Sequence, residues 1–126
     1  MKNNRQPVSF IVTDDPDAAQ AFFVDVMALE LREASPFALV FVDCGHVLRV
    51  QIVSELEPAD YTVHGWEVVD IARTIEELIS KGVQFQRFDQ LPQDALGVWT
   101  TPDGNKIAWF TDPSGNRLSL TQYMTT

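Results

Sequence analysis

The feature that most constrains this chain is a pattern that runs once and then starts again. Val8 to Thr13 is a short β-rich run, with Phe10 and Val12 on one face and Ser9 and Ile11 on the other. In Asp14-Asp15-Pro16, Asp15 is a good helix N-cap, and Pro16 fits the first helical position, where its missing N–H costs nothing. Ala19, Phe22, Phe23 and Val26 then recur at the spacing of one apolar helix face. Leu29 to Glu33, Phe37 to Asp43 and Val47 to Val53 read as strands, the last two joined by a tight turn through Cys44-Gly45. Ser54 to Asp60, with Pro58 and three acids, has no periodicity and reads as a connection.

The pattern then restarts. Thr62 to Val68 is a strand, and Asp70 opens a helix with Ile71, Ile75, Leu78 and Ile79 on its apolar face. Lys81-Gly82 stops it, a cation in the last turn and a glycine after it. Val83 to Phe88 reads as a strand, Asp89 to Leu96 as a polar loop able to act as a lid. Val98 to Thr100, Lys106 to Thr111 and Arg117 to Gln122 are strands separated by turns at Pro102–Asn105 and Asp112–Asn116. Val12-Thr13-Asp14 answers Val68-Val69-Asp70 at an offset of 56 (68 − 12), and Leu48-Arg49-Val50 answers Leu118-Ser119-Leu120 at 70 (118 − 48). The difference fits an insertion around Leu91 to Asn105. The expected architecture is one α+β domain, residues 1–126, holding two βαβββ modules, about 6–53 and 62–123.

Composition narrows the function. The 126 residues carry a formal charge of −9, with 18 acidic against 9 basic residues and no basic run, which argues against nucleic acid as a partner. An acidic surface favours a cationic ligand or simply keeps the protein dispersed. No apolar run is long enough to cross a membrane. Met1 to Pro7 does not read as a signal peptide, and the one cysteine, Cys44, allows no internal disulfide, so the expected compartment is the cytoplasm.

The duplicated βαβββ order, with Ala108-Trp109-Phe110-Thr111-Asp112-Pro113-Ser114-Gly115-Asn116-Arg117-Leu118-Ser119-Leu120 near the C-terminus, resembles the vicinal-oxygen-chelate superfamily. That group includes glyoxalase I, extradiol dioxygenases, and fosfomycin- and bleomycin-resistance proteins. The resemblance covers nearly the whole chain. It implies two curled mixed sheets around a cleft, a small-molecule ligand and a homodimer. Catalytic members place a His, Gln or Glu in each module's first strand, about seven residues before the Asp that ends it, and a Glu in each last strand. The corresponding residues are Pro7, Val63, Arg49 and Ser119. Pro and Val have no donor atom and an Arg repels a cation, so no metal and no cofactor is expected. His64, beside Val63, falls on the face of Trp66 and Val68 and reads as a strand-edge histidine satisfied by backbone or water.

The family register puts Ser9 and Ile11, Arg49 and Gln51, Gly65 and Glu67, Ser119 and Thr121 on the cleft side. The candidate ligand-binding residues are therefore Ser9, Arg49, Gln51, Glu67 and Ser119, with Trp99 as a wall beside the inserted loop; no catalytic residue is identified. Two readings of Arg49 and Glu67 stay open: they grip a polar ligand, or they close the cavity floor as an ion pair. Three functions follow: a metal-independent small-molecule-binding protein, an antibiotic-sequestering protein, or a metal-dependent lyase or dioxygenase with unorthodox ligands such as Glu67 and His64.

Overall fold

The computed structural model describes residues 4–124, so part of the N-terminal stretch read above, Met1 to Asn3, lies outside the described residues. The chain divides between Glu57 and Pro58 into two compact units, each holding one four-stranded mixed sheet.

In the first unit, β1 (Val8–Thr13) leads through Asp15 into α1 (Pro16–Ala21). The Asp15 carboxylate accepts the Ala18 N–H at 3.2 Å, with Pro16 just inside the cap. The helix widens into a π turn over Phe22–Val26, where the Met27 N–H reaches back to the Phe22 carbonyl at 3.0 Å. The chain leaves through Ala28 at φ 61°, a left-handed conformation. Strands β2 (Glu30–Ala34), β3 (Ala38–Asp43) and β4 (His46–Ile52) complete the unit in the order β1-β4-β3-β2, with β1 parallel to β4 and the other pairs antiparallel. A parallel pair needs a crossover, which the helix supplies. Cys44 (φ 51°) and Gly45 (φ 82°) both take left-handed backbone, the pattern of a type I′ hairpin turn. Ile11, Val50, Leu39, Leu48 and Phe41 share one sheet face and are buried, and the Phe23 ring stands 5.3 Å from that of Phe41.

The second unit repeats the plan: β5 (Thr62–Glu67), α2 (Ile71–Ser80), β6 (Trp99–Thr100), β7 (Lys106–Thr111) and β8 (Arg117–Gln122), in sheet order β5-β8-β7-β6, again with a parallel outer pair. The Asp70 carboxylate caps α2 by accepting the Arg73 N–H at 3.2 Å, as Asp15 caps α1. Buried Ile71, Ile75 and Leu78 form the inner stripe of α2, while Leu118, Leu120, Ala108 and Phe110 form the buried sheet face. No helix among the described residues is long and apolar enough to cross a membrane.

Two sequence expectations need correction. Val83 to Phe88 is not a strand: it makes a single bridge, Phe85 to Phe110, beside an N–H from Gln86 to the Trp109 carbonyl at 2.8 Å. The free edge of β7 is shared, because β6 takes Lys106 and Ile107, which leaves this segment too little edge for a ladder. The module offset is also one residue smaller than the sequence words suggest. The two caps, Asp15 and Asp70, are equivalent at an offset of 55 (70 − 15), and so are Phe10 and Gly65, which face Arg49 and Ser119 across β4 and β8. Before these pairs β5 carries a bulge: Thr62 faces Arg117 as Val8 faces Val47, and Val63 is the extra residue with no paired counterpart in β1.

Candidate small-molecule site

Each sheet buries one face and leaves the other, the open face, uncovered by its own helix. In the first unit, pairing places Phe10, Arg49 and Val40 in one row on the open face, with Gln51 on the same strand face as Arg49. Phe10 is 61% exposed. Ser9 is not on this face. It pairs with Leu48 beside the Ile11–Val50 pair, on the buried side, and its hydroxyl lies 2.8 Å from His46 Nε2. The expected cleft parity for Ser9 and Ile11 is therefore inverted, because Ile11 and Thr13 are the residues that this strand buries.

In the second unit the expected parity matches the register. Gly65 faces Ser119 and Glu67 faces Thr121, with Trp109 on the other side of Ser119. His64 lies on the opposite face, its ring edge-on to Trp66 at 4.8 Å. Gly65 owes its identity to Ser119: a Cβ there would collide with Ser119 Oγ and stand 3.0 Å from its carbonyl oxygen. Among the described residues of its own unit, neither the Arg49 nor the Glu67 side chain makes an ion pair or a hydrogen bond.

Aromatic side chains shape a hollow of about 360 Å³ on this open face, lined by Tyr61, Thr62, Phe88, Leu91, Trp109 and Arg117 with Asp60 and Gln90 at its margin. The Trp109 indole N–H donates to Thr62 Oγ1 at 3.0 Å, fixing the ring. Phe88 meets Trp109 edge-to-face at 5.4 Å, and Trp99 stacks on Trp109 at 6.3 Å. The Arg117 guanidinium lies 5.0 Å from the centre of the Phe88 ring. Gln90 and Leu91 come from the loop expected to be a lid. That loop is tied down: the Gln93 amide accepts from the Phe88 N–H at 2.7 Å and donates to the Gln86 and Gly97 carbonyls at 3.0 and 2.8 Å. A larger groove, about 670 Å³, runs past Glu67, Lys106, Gln122, Tyr123 and Met124 at the end of the same sheet.

The strand ending that carries the family resemblance has its own chemistry. Asp112 and Asn116 are buried, and Asp112 Oδ1 accepts the Ser114 and Asn116 backbone N–H groups at 3.0 and 2.9 Å while Oδ2 accepts the Asn116 amide at 2.8 Å. Burial pushes the Asp112 carboxyl above its ordinary 3.8, against the downward pull of those hydrogen bonds. This is a structural cluster that folds the β7–β8 turn.

The donor set does not suit the metal that the resemblance brings with it. The four positions that the resemblance assigns are Pro7, Arg49, Val63 and Ser119: two alkyl groups, a cation and one neutral hydroxyl. Among the described residues, no cluster of three or more His, Cys, Asp or Glu side chains is arranged to hold an ion. The sequence reading missed Tyr61, Phe88 and Arg117 and left the facing of Trp109 open; the parity that put Ser119 on the open face also assigns Arg117 to it.

No protein-family model matches the chain, and no curated protein matches it. Solved structures do. TnmS3, an antibiotic binding protein from a Streptomyces species, superposes with a TM-score of 0.74 at 19% identity, over 98% of this chain and 99% of its own. A glyoxalase/bleomycin resistance protein/dioxygenase from Alicyclobacillus acidocaldarius gives 0.73 at 20% identity, over 99% and 96%. A lactoylglutathione lyase from Agrobacterium tumefaciens gives 0.73 at 17% identity, over 96% and 95%. With two repeated four-stranded mixed sheets and near-complete coverage, the chain has the glyoxalase/bleomycin-resistance fold of the vicinal-oxygen-chelate type.

Proposed function

We propose that this protein binds a small organic molecule without a metal ion, on the open sheet faces of a vicinal-oxygen-chelate-type fold. The observation that carries the reading is the set Pro7, Arg49, Val63 and Ser119 at the four metal positions, which offers a divalent ion one neutral oxygen and one repelling charge. Arg49, Gln51, Glu67, Ser119 and Trp99 remain the proposed ligand contacts, joined by Trp109 and Arg117; Ser9 is withdrawn. A cytoplasmic homodimer that avoids nucleic acid is part of the same proposal, the last point supported by the charge of −9. Elemental analysis of the purified protein, with titration of Zn²⁺, Ni²⁺ and Mn²⁺, tests it. The expected result is no stoichiometric metal and no saturable heat. One tightly held ion per chain would restore the metal-dependent lyase or dioxygenase reading.

A second reading, antibiotic sequestration, is favoured by the likeness to the antibiotic binding protein TnmS3. The similar superposition of a lactoylglutathione lyase keeps it second, since one fold serves both. Calorimetric titration with bleomycin-class and other polycyclic antibiotics decides it, absence of heat across the panel removing the reading.

A further inference from the structure

We propose that the hollow on the β5-β8-β7-β6 sheet takes a planar aromatic molecule carrying an anionic group, stacked against the Trp109–Phe88 wall with its charge on Arg117. This rests on the small-molecule reading above and names its ligand class. Three observations carry it. First, the walls are rings held in place: Trp109 is fixed by Thr62, and Phe88 stands edge-on to it. A flat, polarisable ligand gains most from such a wall. Second, about 360 Å³ sits near the lower end of the roughly 300–1,000 Å³ usual for ligand pockets, which suits one compact ring system.

Third, the pocket's two charges are held very differently. The Arg117 side chain is only 22% exposed, lies over Phe88, and keeps its Nε without a hydrogen-bond partner among the described residues. Asp60 is fully exposed and touches Arg117 only through contacts of 3.4 Å, one to its carboxylate and one to its carbonyl. Such a long, solvated pair is weak. The fixed charge is therefore positive, and the negative one can swing away, so an incoming carboxylate or phenolate takes the place of the Asp60 carboxylate on the guanidinium Nη2. A cationic ligand gains no such exchange, because the Phe88 face is already occupied by Arg117. The local preference thus runs against the chain's overall acidity.

Four probes of similar size test this by calorimetry: 2-naphthoate, the neutral 2-naphthalenemethanol, the cationic 2-naphthylmethylammonium, and saturated decalin-2-carboxylate. The expectation is that 2-naphthoate binds tightest. Arg117→Met should weaken it about tenfold and leave the alcohol unchanged. Asp60→Asn, a fully exposed change that leaves the sheet intact, should tighten it about threefold by removing the competitor. Equal binding of acid and alcohol, preference for the ammonium, or no tightening in Asp60→Asn overturns the proposal. Equal binding of the decalin acid overturns its aromatic half. The broader reading is separated by native mass spectrometry of protein purified without added ligand. A retained molecule that is neither flat nor anionic overturns the ligand class alone, whereas no probe binding and nothing retained overturns both.

Discussion

Replacing Asp112 by Asn probes the turn on which the family likeness rests. In the native turn, Oδ1 receives two backbone N–H groups and Oδ2 receives the Asn116 amide, all between 2.8 and 3.0 Å, at a residue 4% exposed. Asn keeps the first oxygen but puts an NH₂ where Oδ2 was, so two donors face each other. Losing a hydrogen bond to a charged acceptor costs about 1.5–3 kcal/mol, and relief from burying a charge returns part of it. A net loss of about 1–2 kcal/mol at pH 7 follows, read as a urea midpoint lower by about 0.5–1 M. The pH dependence has a definite sign. Burial raises the folded-state pKa above 3.8, so the folded protein binds more protons at this site than the unfolded chain in the interval between the two values. The contribution of Asp112 is complete below 3.8 and declines as pH rises through the folded value. The deficit of Asp112→Asn relative to the native chain should therefore widen on going from pH 7 towards pH 4. A deficit that narrows on acidification would mean that hydrogen bonding, and not burial, dominates this carboxyl.

Other substitutions test the register and the caps. Gly65→Ala should cost about 1–3 kcal/mol by forcing a methyl onto Ser119, and Ser119→Gly in the same chain should recover part of it, since only the carbonyl contact then remains; absence of recovery in chemical denaturation would place the clash elsewhere. Ala28→Gly should stabilise by about 1 kcal/mol by relieving the left-handed alanine that ends the first helix, and an unchanged midpoint would refute that strain. Asp15→Ala and Asp70→Ala should each cost about 1 kcal/mol, since each carboxylate caps its helix through a 3.2 Å bond to the N–H three residues on.

Periodicity and turn chemistry carried most of the fold, because both units obey them. Asp15-Pro16, Asp70, Cys44-Gly45 and Asp112 to Asn116 each act through contacts no more than four residues apart, which a sequence displays directly. What stayed hidden depends on competition at longer range. Val83 to Phe88 has strand-like residues but not enough of the β7 edge, which Trp99 and Thr100 share. The π turn at Phe22 shifts the exit of the first helix without altering its apolar spacing. Among the site residues, alternation placed Arg49, Gln51, Glu67 and Ser119 on the open faces. It failed for Ser9 because the offset between the halves is 55 and not 56, and a one-residue slip inverts a strand. The aromatic hollow draws Tyr61, Phe88 and Arg117 from three separate segments, and no local pattern joins those.

The corrected register also shows where the two halves agree and where they part. On the buried faces Leu48 corresponds to Leu118 and Val50 to Leu120, and Leu48 and Leu118 each face a fully buried phenylalanine, Phe41 in one unit and Phe110 in the other. Packing against a helix leaves those positions little freedom. Across the open faces the same row reads Phe10, Arg49, Val40 in the first unit and Gly65, Ser119, Trp109 in the second. A ring has moved from the outer strand to an inner one, and a charge has become a hydroxyl. Val40 is itself buried, but the facing leucines and phenylalanines of the core lie on the other side of the sheet and require neither exchange. In the second unit the removal of bulk at Gly65 and Ser119 stands beside the added ring of Trp109, and the aromatic hollow forms against that ring. The divergence is concentrated on the face that each unit's own helix leaves uncovered, which is where selection for a ligand, more than for helix packing, would act.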